Sequence, residues 1–214
     1  MQGVGGRLLR FDGGRVMVHM GSMTTPVSGS HGVVHISVLW QTGEREKPVV
    51  VKCIPRSNGT VNAEKAMLVH KHPHLCTPLF HKMADSFDML VFERMEHSLK
   101  CLLHSRKSPK THTWNFNTAA AFGQILRGLH ALHALGWMHC DIKPDNIMYR
   151  EGVFKIIDFG LSRPIEATPG PAFSGGYRPP EVALRMPFDT KADIWAVALV
   201  GASAIVGGLT GVVE

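Results

Sequence analysis

Two short stretches of this chain hold residue types that phosphate chemistry uses. Residues 139–146 read HCDIKPDN and residues 156–160 read IIDFG, so a loop followed by a hairpin return can bring Asp141, Asn146 and Asp158 to one place. Two carboxylates and an amide offer hard oxygen ligands to a divalent cation and can orient a hydroxyl. Phosphoryl transfer needs little more, because its catalysis is mostly positioning and neutralisation of charge. The competing reading, a polar loop that caps a helix, has to explain two ordered motifs at once.

These residues need elements to hold them. LLRF at 8–11 and RVMVHM at 15–20 flank the turn residues Asp12, Gly13 and Gly14, while VVHISVLW at 33–40 and KPVVVKCI at 47–54 are β-branched runs between breakers. All four are predicted strands, with DMLVF at 88–92 as a fifth. From Thr118 the period changes. Phe122, Ile125, Leu126, Leu129 and Leu132 follow the i, i+3, i+4, i+7 rule, which predicts an amphipathic helix over 118–135 ending at Gly136. NAEKAMLVH at 62–70 reads as a shorter helix, with Asn62 as its cap and Glu64 in the first turn. No segment recurs at a fixed period. A boundary near 95–99 separates a β-rich part from a helical one.

Composition bounds the rest. With 214 residues, 44% hydrophobic and 19% charged, the chain can bury a core and fits one large or two small domains. Cys53, Cys76, Cys101 and Cys140 form no CxxC pair, which suits a reducing compartment inside the cell, cytoplasm or nucleus. No apolar leader follows Met1, and the mature chain is expected to start near it. The net charge of +6 comes from scattered basic residues. Only 100–110 forms a loose run, without the interleaved aromatics of a single-strand platform, so no nucleic-acid partner is expected. Residues 194–213 carry no charge over twenty positions, long enough to span a bilayer. Their Gly and Ala content favours a buried helix, and no membrane association is expected.

The motifs are similar to a known pattern. HCDIKPDN and IIDFG resemble the HRDLKPEN and DFG segments of eukaryotic-type protein kinases, and the resemblance runs in order over about residues 25 to 205. It implies an α+β, two-lobed fold: a β-rich N-lobe with one short helix over 1–95, and a mainly helical, shortened C-lobe over 96–214. ATP would lie in the cleft with magnesium. By this resemblance Asp141 accepts the proton of the substrate hydroxyl, Lys143 steadies the moving phosphoryl group, and Asn146 and Asp158 ligate the metal. GSHGVV at 29–34 resembles the latter half of the glycine-rich loop, which puts Gly29, Gly32 and Val34 against the nucleotide; a simple hairpin turn is the rival. VVVK at 49–52 is similar to the strand whose lysine, here Lys52, grips the α- and β-phosphates with Glu64 as its ion-pair partner. LVFERMEHSL at 90–99 looks like the strand and hinge beneath adenine, with Phe92 as gatekeeper and backbone at Glu93 to Met95 bonding the base.

Downstream, SGGYRPPE at 174–181 resembles the peptide-positioning loop, with Ser174 at the usual Thr position and Glu181 in the APE glutamate's place. KADIWAVAL at 191–199 resembles the buried helix whose aspartate, here Asp193, ties down the catalytic loop, and Thr190 with Asp193 also reads as a capping box. The departures matter too. Val27 stands for the first glycine and Val50 for a small alanine. Cys140 replaces an arginine that receives an activation-loop phosphate in many kinases. The chain stops soon after the Asp193 helix, where the family continues through helices that supply an arginine for Glu181, so that carboxylate is expected to be buried without its partner. The expected function is ATP-dependent phosphoryl transfer to serine or threonine of protein substrates, with Lys143 and Pro144 marking that specificity. Two alternatives stand beside it: a truncated kinase or pseudokinase that only binds a partner, and a small-molecule phosphotransferase, which would lack a counterpart of SGGYRPPE. Oligomeric state is not legible.

Overall fold

The computed structural model describes residues 7–10, 16–20, 27–29, 32–41, 47–56, 61–105, 117–166 and 172–206. The chain divides into two compact units, Met1–Lys71 with Thr77–Arg94, and His72–Cys76 with Met95–Glu214.

In the first unit, the described strands are β1 (Arg7–Arg10), β2 (Val16–Met20), β3 (Val27–Gly29), β4 (Gly32–Gln41), β5 (Lys47–Pro55), β6 (Phe80–Met83) and β7 (Phe87–Glu93). They form one antiparallel sheet in the order β1-β2-β4-β5-β7-β6, with β3 folded back on β4. The period-2 alternation of β5 decides which residues reach which face. Val49 and Val51 join Met89 and Val91 in one buried cluster. Ile54 and Leu90, with Phe92 packed on them, form another. The five predicted strands are present. The short strands β3 and β6 were not foreseen, since HKM in β6 is too polar to register as a strand.

The first described helix, α1 (Val61–Ala66), continues as a 3₁₀ turn over Met67–Val69. It begins at Val61, so Asn62 is inside the helix and is not its cap; a cap residue keeps non-helical dihedrals. Glu64 does stand in the first turn.

The second unit contains α2 (Leu99–Ser105), α3 (Thr118–Ala134), α4 (Pro180–Ala183) and α5 (Lys191–Val206). Its strands are β8 (His97–Ser98), β9 (Trp137–Met138), β10 (Ile147–Arg150), β11 (Val153–Ile156) and β12 (Arg163–Pro164). They make a sheet β11-β10-β8 and a pair β12-β9. Helix α3 matches the prediction closely. Asn117, in extended backbone, caps it by accepting from Ala120 N at 3.0 Å, and Gly136 leaves it at φ +81°. Its buried face is Ala121, Ile125, Gly128, Leu129 and Leu132. Leu126 is the exception, at 43% exposed.

Gly128 has a packing reason. A Cβ there would lie 2.6 Å from His74 O, because the segment 72–76 crosses at that point. Ile156 N donates to His74 O at 3.0 Å and Cys76 N to Ile156 O at 2.8 Å, which sews that segment to the end of β11. The β10–β11 hairpin turns on Glu151 (φ 48°) and Gly152 (φ 85°), and two positive φ values match the twist of the strands it joins.

The apolar tail is only partly buried. Ala192, Ala196, Val197, Val200, Ser203 and Ala204 of α5 face the interior, but Ile194, Trp195 and Ile205 are 46%, 44% and 79% exposed. The buried face is made of small residues, which lets α3 and α5 approach; a Cβ on Gly201 would touch the Phe122 ring at 3.3 Å. Among the described residues no helix is long and apolar enough to cross a membrane. Residues 207–213 lie outside the described ones.

Candidate active site

Asp141 is the centre of the site. It is 3% exposed, and both carboxylate oxygens are occupied. Oδ2 accepts from Lys143 Nζ at 2.7 Å and Asn146 Nδ2 at 2.9 Å. Oδ1 accepts from Ser174 Oγ at 2.7 Å and Ser174 N at 3.2 Å. Lys143 Nζ also donates to Ser174 Oγ, at 2.9 Å, which closes a triangle of carboxylate, ammonium and hydroxyl. Charge-assisted bonds of this kind are about twice as strong as neutral ones.

The loop that carries Asp141 is held from below. Asp193, fully buried at the start of α5, accepts from His139 N at 2.8 Å, Cys140 N at 2.9 Å and His133 Nε2 at 2.8 Å. This compensates the strain at Cys140, whose φ of 63° is unusual for a residue with a side chain. The expected capping box is not formed, because the carboxylate of Asp193 faces the loop and not its own helix start. Lys191 N instead finds Asp189 Oδ1 at 2.8 Å.

His139 links the two motifs. Its Nδ1 accepts from Asp141 N at 3.2 Å, so the proton sits on Nε2 and is donated to Ile157 O at 3.0 Å. Its ring meets Phe159 edge-on, with centroids 5.5 Å apart. Pro144 pre-shapes the 3₁₀ turn Pro144–Asn146, and Asn146 O accepts from Ile157 N at 3.0 Å. Asp158 follows directly, at φ 61°. The backbone therefore brings the residues before and after the hairpin together, as the motif spacing predicts.

Magnesium prefers one or two hard protein oxygens and completes its shell with phosphate and water. The residues present fit it. Asn146 uses its amide nitrogen on Asp141 O and Oδ2, so its side-chain oxygen is not spent on Asp141 and is the right kind of ligand for a hard cation. Among the described residues no group of three His, Cys, Asp or Glu could hold an ion without such help.

The remaining expected residues lie in the β-rich unit, apart from Met95. Lys52 Nζ and Glu64 Oε1 are 2.7 Å apart, with side chains 11% and 1% exposed. Gly29 pairs with Gly32 across the β3–β4 hairpin, and Val34 pairs with Lys52 in the neighbouring strand. Glu93 ends β7 opposite Val49, and Arg94 N donates to Pro48 O. Phe92 lies opposite Val50. Met95 belongs to the second unit and is buried, with Glu96 N bonded to Tyr149 O.

The segment from Ala172 to Arg178 is tied to the Asp141 loop by backbone. Phe173, at φ 61°, donates its N–H to Cys140 O at 2.7 Å, and its carbonyl accepts from Arg178 Nη2 at 2.9 Å. Phe173 also stacks edge-on against Phe188. A cavity of about 770 Å³ opens beside Ser174, bordered by Leu161, Phe173, Arg178, Val182, Met186 and Phe188. Glu181 corrects an expectation: it is half-buried, on a four-residue helix without buried residues, so it is not a carboxylate sealed in the core.

Sequence reasoning missed the direct contact of Ser174 with Asp141 and the part of His133. No local pattern marks either. His133 Nε2 reaches Asp193 across 60 residues, and only the meeting of α3 with α5 reveals it. Burial and, secondarily, the nearby Asp193 charge push the Cys140 thiol up to about 12, while Arg163 pulls the other way. Lys100 at the surface is raised by its hydrogen bond and charge contact with Asp145, at 2.8 Å.

The family model described as protein kinase domain matches residues 28–209, and the chain belongs to that family. It is similar to a probable serine/threonine-protein kinase of Dictyostelium discoideum, 36% identical over 142 residues that cover 64% of this chain and 27% of that protein. Cyclin-dependent kinase F-3 of Oryza sativa subsp. japonica is 32% identical over 140 residues, 64% of this chain and 32% of its own. Mitogen-activated protein kinase p38b of Drosophila melanogaster is 35% identical over 132 residues, 58% and 35% respectively. The aligned parts span about a quarter to a third of these curated relatives.

Proposed function

We propose that this chain transfers the terminal phosphoryl group of ATP to serine or threonine hydroxyls of protein substrates. Asp141 is the residue that receives and orients the hydroxyl, because its carboxylate is held by Lys143, Asn146 and Ser174 in one geometry. That preorganised carboxylate is the observation that carries the reading. Lys143 supplies positive charge beside the reacting oxygen. Asn146 and Asp158 would hold magnesium, which when bound draws off charge from the phosphate oxygens. Lys52, paired with Glu64 at 2.7 Å, suits the α- and β-phosphates of ATP. Gly29, Gly32 and Val34 would lie along the nucleotide, and the backbone of Glu93 and Met95 would serve adenine.

A protein substrate is favoured over a small one by Ser174. The segment 174–181 contributes a hydroxyl directly to the catalytic carboxylate, so peptide positioning and catalysis share a residue. The Dictyostelium discoideum relative, named as a probable serine/threonine-protein kinase, supports the same class of acceptor. Four free cysteines and the absence of a membrane-crossing helix among the described residues are compatible with an intracellular setting, cytoplasm or nucleus.

The test is transfer of labelled phosphate from magnesium-ATP to a protein mixture and to free small-molecule alcohols. Labelled phosphoserine or phosphothreonine, lost in Asp158→Ala, supports the proposal. Equal labelling by both proteins, or labelling of the small alcohols alone, ends it. Magnesium-ATP should also raise the melting temperature, since a ligand that binds the native state stabilises it.

A further inference from the structure

The β-rich unit contains a second buried carboxylate, which the reaction does not use. Asp88, near the start of β7, is 2% exposed. Lys65 Nζ lies 3.0 Å from its Oδ1 and Arg56 Nε 3.5 Å from its Oδ2, and His81 Nε2 also bonds Oδ1. Burial alone would raise this carboxyl, but the hydrogen bonds from His81 and Lys65 outweigh it and hold the group below its ordinary value. Three places thus converge on one anion: the residue that follows β5, helix α1 and strand β6.

We infer that Asp88 is a positioning residue that sets the rotation of α1, and through it the aim of Glu64 at Lys52. Glu64 and Lys65 are neighbours on a six-residue helix, about 100° apart around its axis. A helix this short does not hold itself in water and takes its orientation from its contacts. Among the residues described, its buried apolar ones are Ala63 and, in the following turn, Met67, one too small and the other too adaptable to resist rotation. Two ion pairs on adjacent residues do resist it. Lys65 is drawn to Asp88 on β7, and Glu64 is thereby turned to Lys52 on β5, the strand hydrogen-bonded to β7. One sheet carries both anchors, so a change at Asp88 reaches Lys52 through the helix. The inference rests on the proposed use of Lys52 and Glu64 in holding nucleotide.

The experiment compares Asp88→Asn and Lys65→Met with the full chain, alone and in a Glu64→Gln background. The expected result is a fall in kcat/KM for ATP on the order of tenfold to a hundredfold in either single variant, as for other small misplacements. The KM for the protein substrate should not move. In the Glu64→Gln background the same substitutions should add less than about twofold, because there is no aim left to lose. Hydrogen exchange over 61–69 gives a readout without catalysis: both variants should speed it about tenfold or more. Unchanged exchange, or an equal loss of kcat/KM in both backgrounds, overturns the inference. Should Asp88→Asn fail to fold, Lys65→Met, whose side chain is nearer the surface, decides alone. A wild-type protein without phosphotransfer would instead refute the proposed function, and the exchange result would still judge Asp88.

Discussion

Ser174 Oγ stands 2.7 Å from Asp141 Oδ1, although the two residues are 33 apart in sequence. A residue of the segment 174–181 therefore completes the hydrogen-bonding of the carboxylate proposed to be catalytic. Ser174→Ala removes that bond and the second contact of Lys143. A hydrogen bond to a charged group is worth about 1.5–3 kcal/mol. Peptide kcat is expected to fall about tenfold to a hundredfold, with the magnesium-ATP shift in melting temperature retained and with Ser174→Thr near wild type. Steady-state kinetics alongside thermal melts check this; full activity in Ser174→Ala would show the contact to be idle.

Asp193→Ala should cost more stability than any other single change in the second unit. It strands the N–H groups of His139 and Cys140 inside the protein, together with the His133 ring nitrogen. Breaking a buried charge network typically costs about 3–5 kcal/mol. Urea unfolding measures the loss, and a drop below about 1 kcal/mol would contradict the assignment.

Cys140 makes stability depend on alkaline pH. Its thiol is moved from 9.0 to about 12, so between these values the unfolded chain has lost a proton that the native chain keeps. Native protein then binds more protons, and stability falls as pH rises through that window. The contribution is complete below 9.0. Relative to Cys140→Ala, the wild-type protein should lose stability more steeply from pH 9 upward; parallel curves would refute it. At pH 8, alkylation should reach exposed Cys101 and leave Cys140 unlabelled until the chain is denatured.

Cys140 also bears on regulation. A buried neutral thiol cannot receive a phosphate as an arginine would, and Phe173 is already bonded to the Cys140 carbonyl. Activity is therefore expected not to require a phosphorylated activation segment. Treating active protein with phosphatase checks it, and silencing of the wild type would be the adverse outcome.

Gly128→Ala tests how the segment 72–76 docks. The new Cβ would sit 2.6 Å from a backbone oxygen that cannot swing aside. Overpacking of this kind costs about 1–3 kcal/mol. A variant as stable as wild type would mean that the segment yields more easily than its bonds to Ile156 suggest.

Much of this was legible in the chain. The motifs around Asp141 and Asp158 are local, and α3 announces itself by period, cap and terminal glycine. What escaped depends on partners distant in sequence. Asp193 is expected to serve both its own helix start and the loop, but one carboxylate cannot turn both ways, and two loop N–H groups with the His133 ring of α3 hold it. Asn62 resembles a cap until the helix is seen to begin at Val61. The tail at 194–206 is apolar on every side, and hydropathy alone does not distinguish the face that meets α3 from the one bearing Trp195. Glu181 depends on packing that only coordinates reveal. Strand β6 is short and polar because pairing with β7, and not its own composition, keeps it extended.

The three bonds to Asp193 span 53, 54 and 60 residues. Closing such distances is slow compared with winding a helix or zipping the β10–β11 hairpin. During synthesis, HCDIKPDN leaves the ribosome long before the side chain that shapes it. Competence thus waits for residue 193 to emerge, and a nascent chain halted ahead of it would carry the whole signature of the loop without its form.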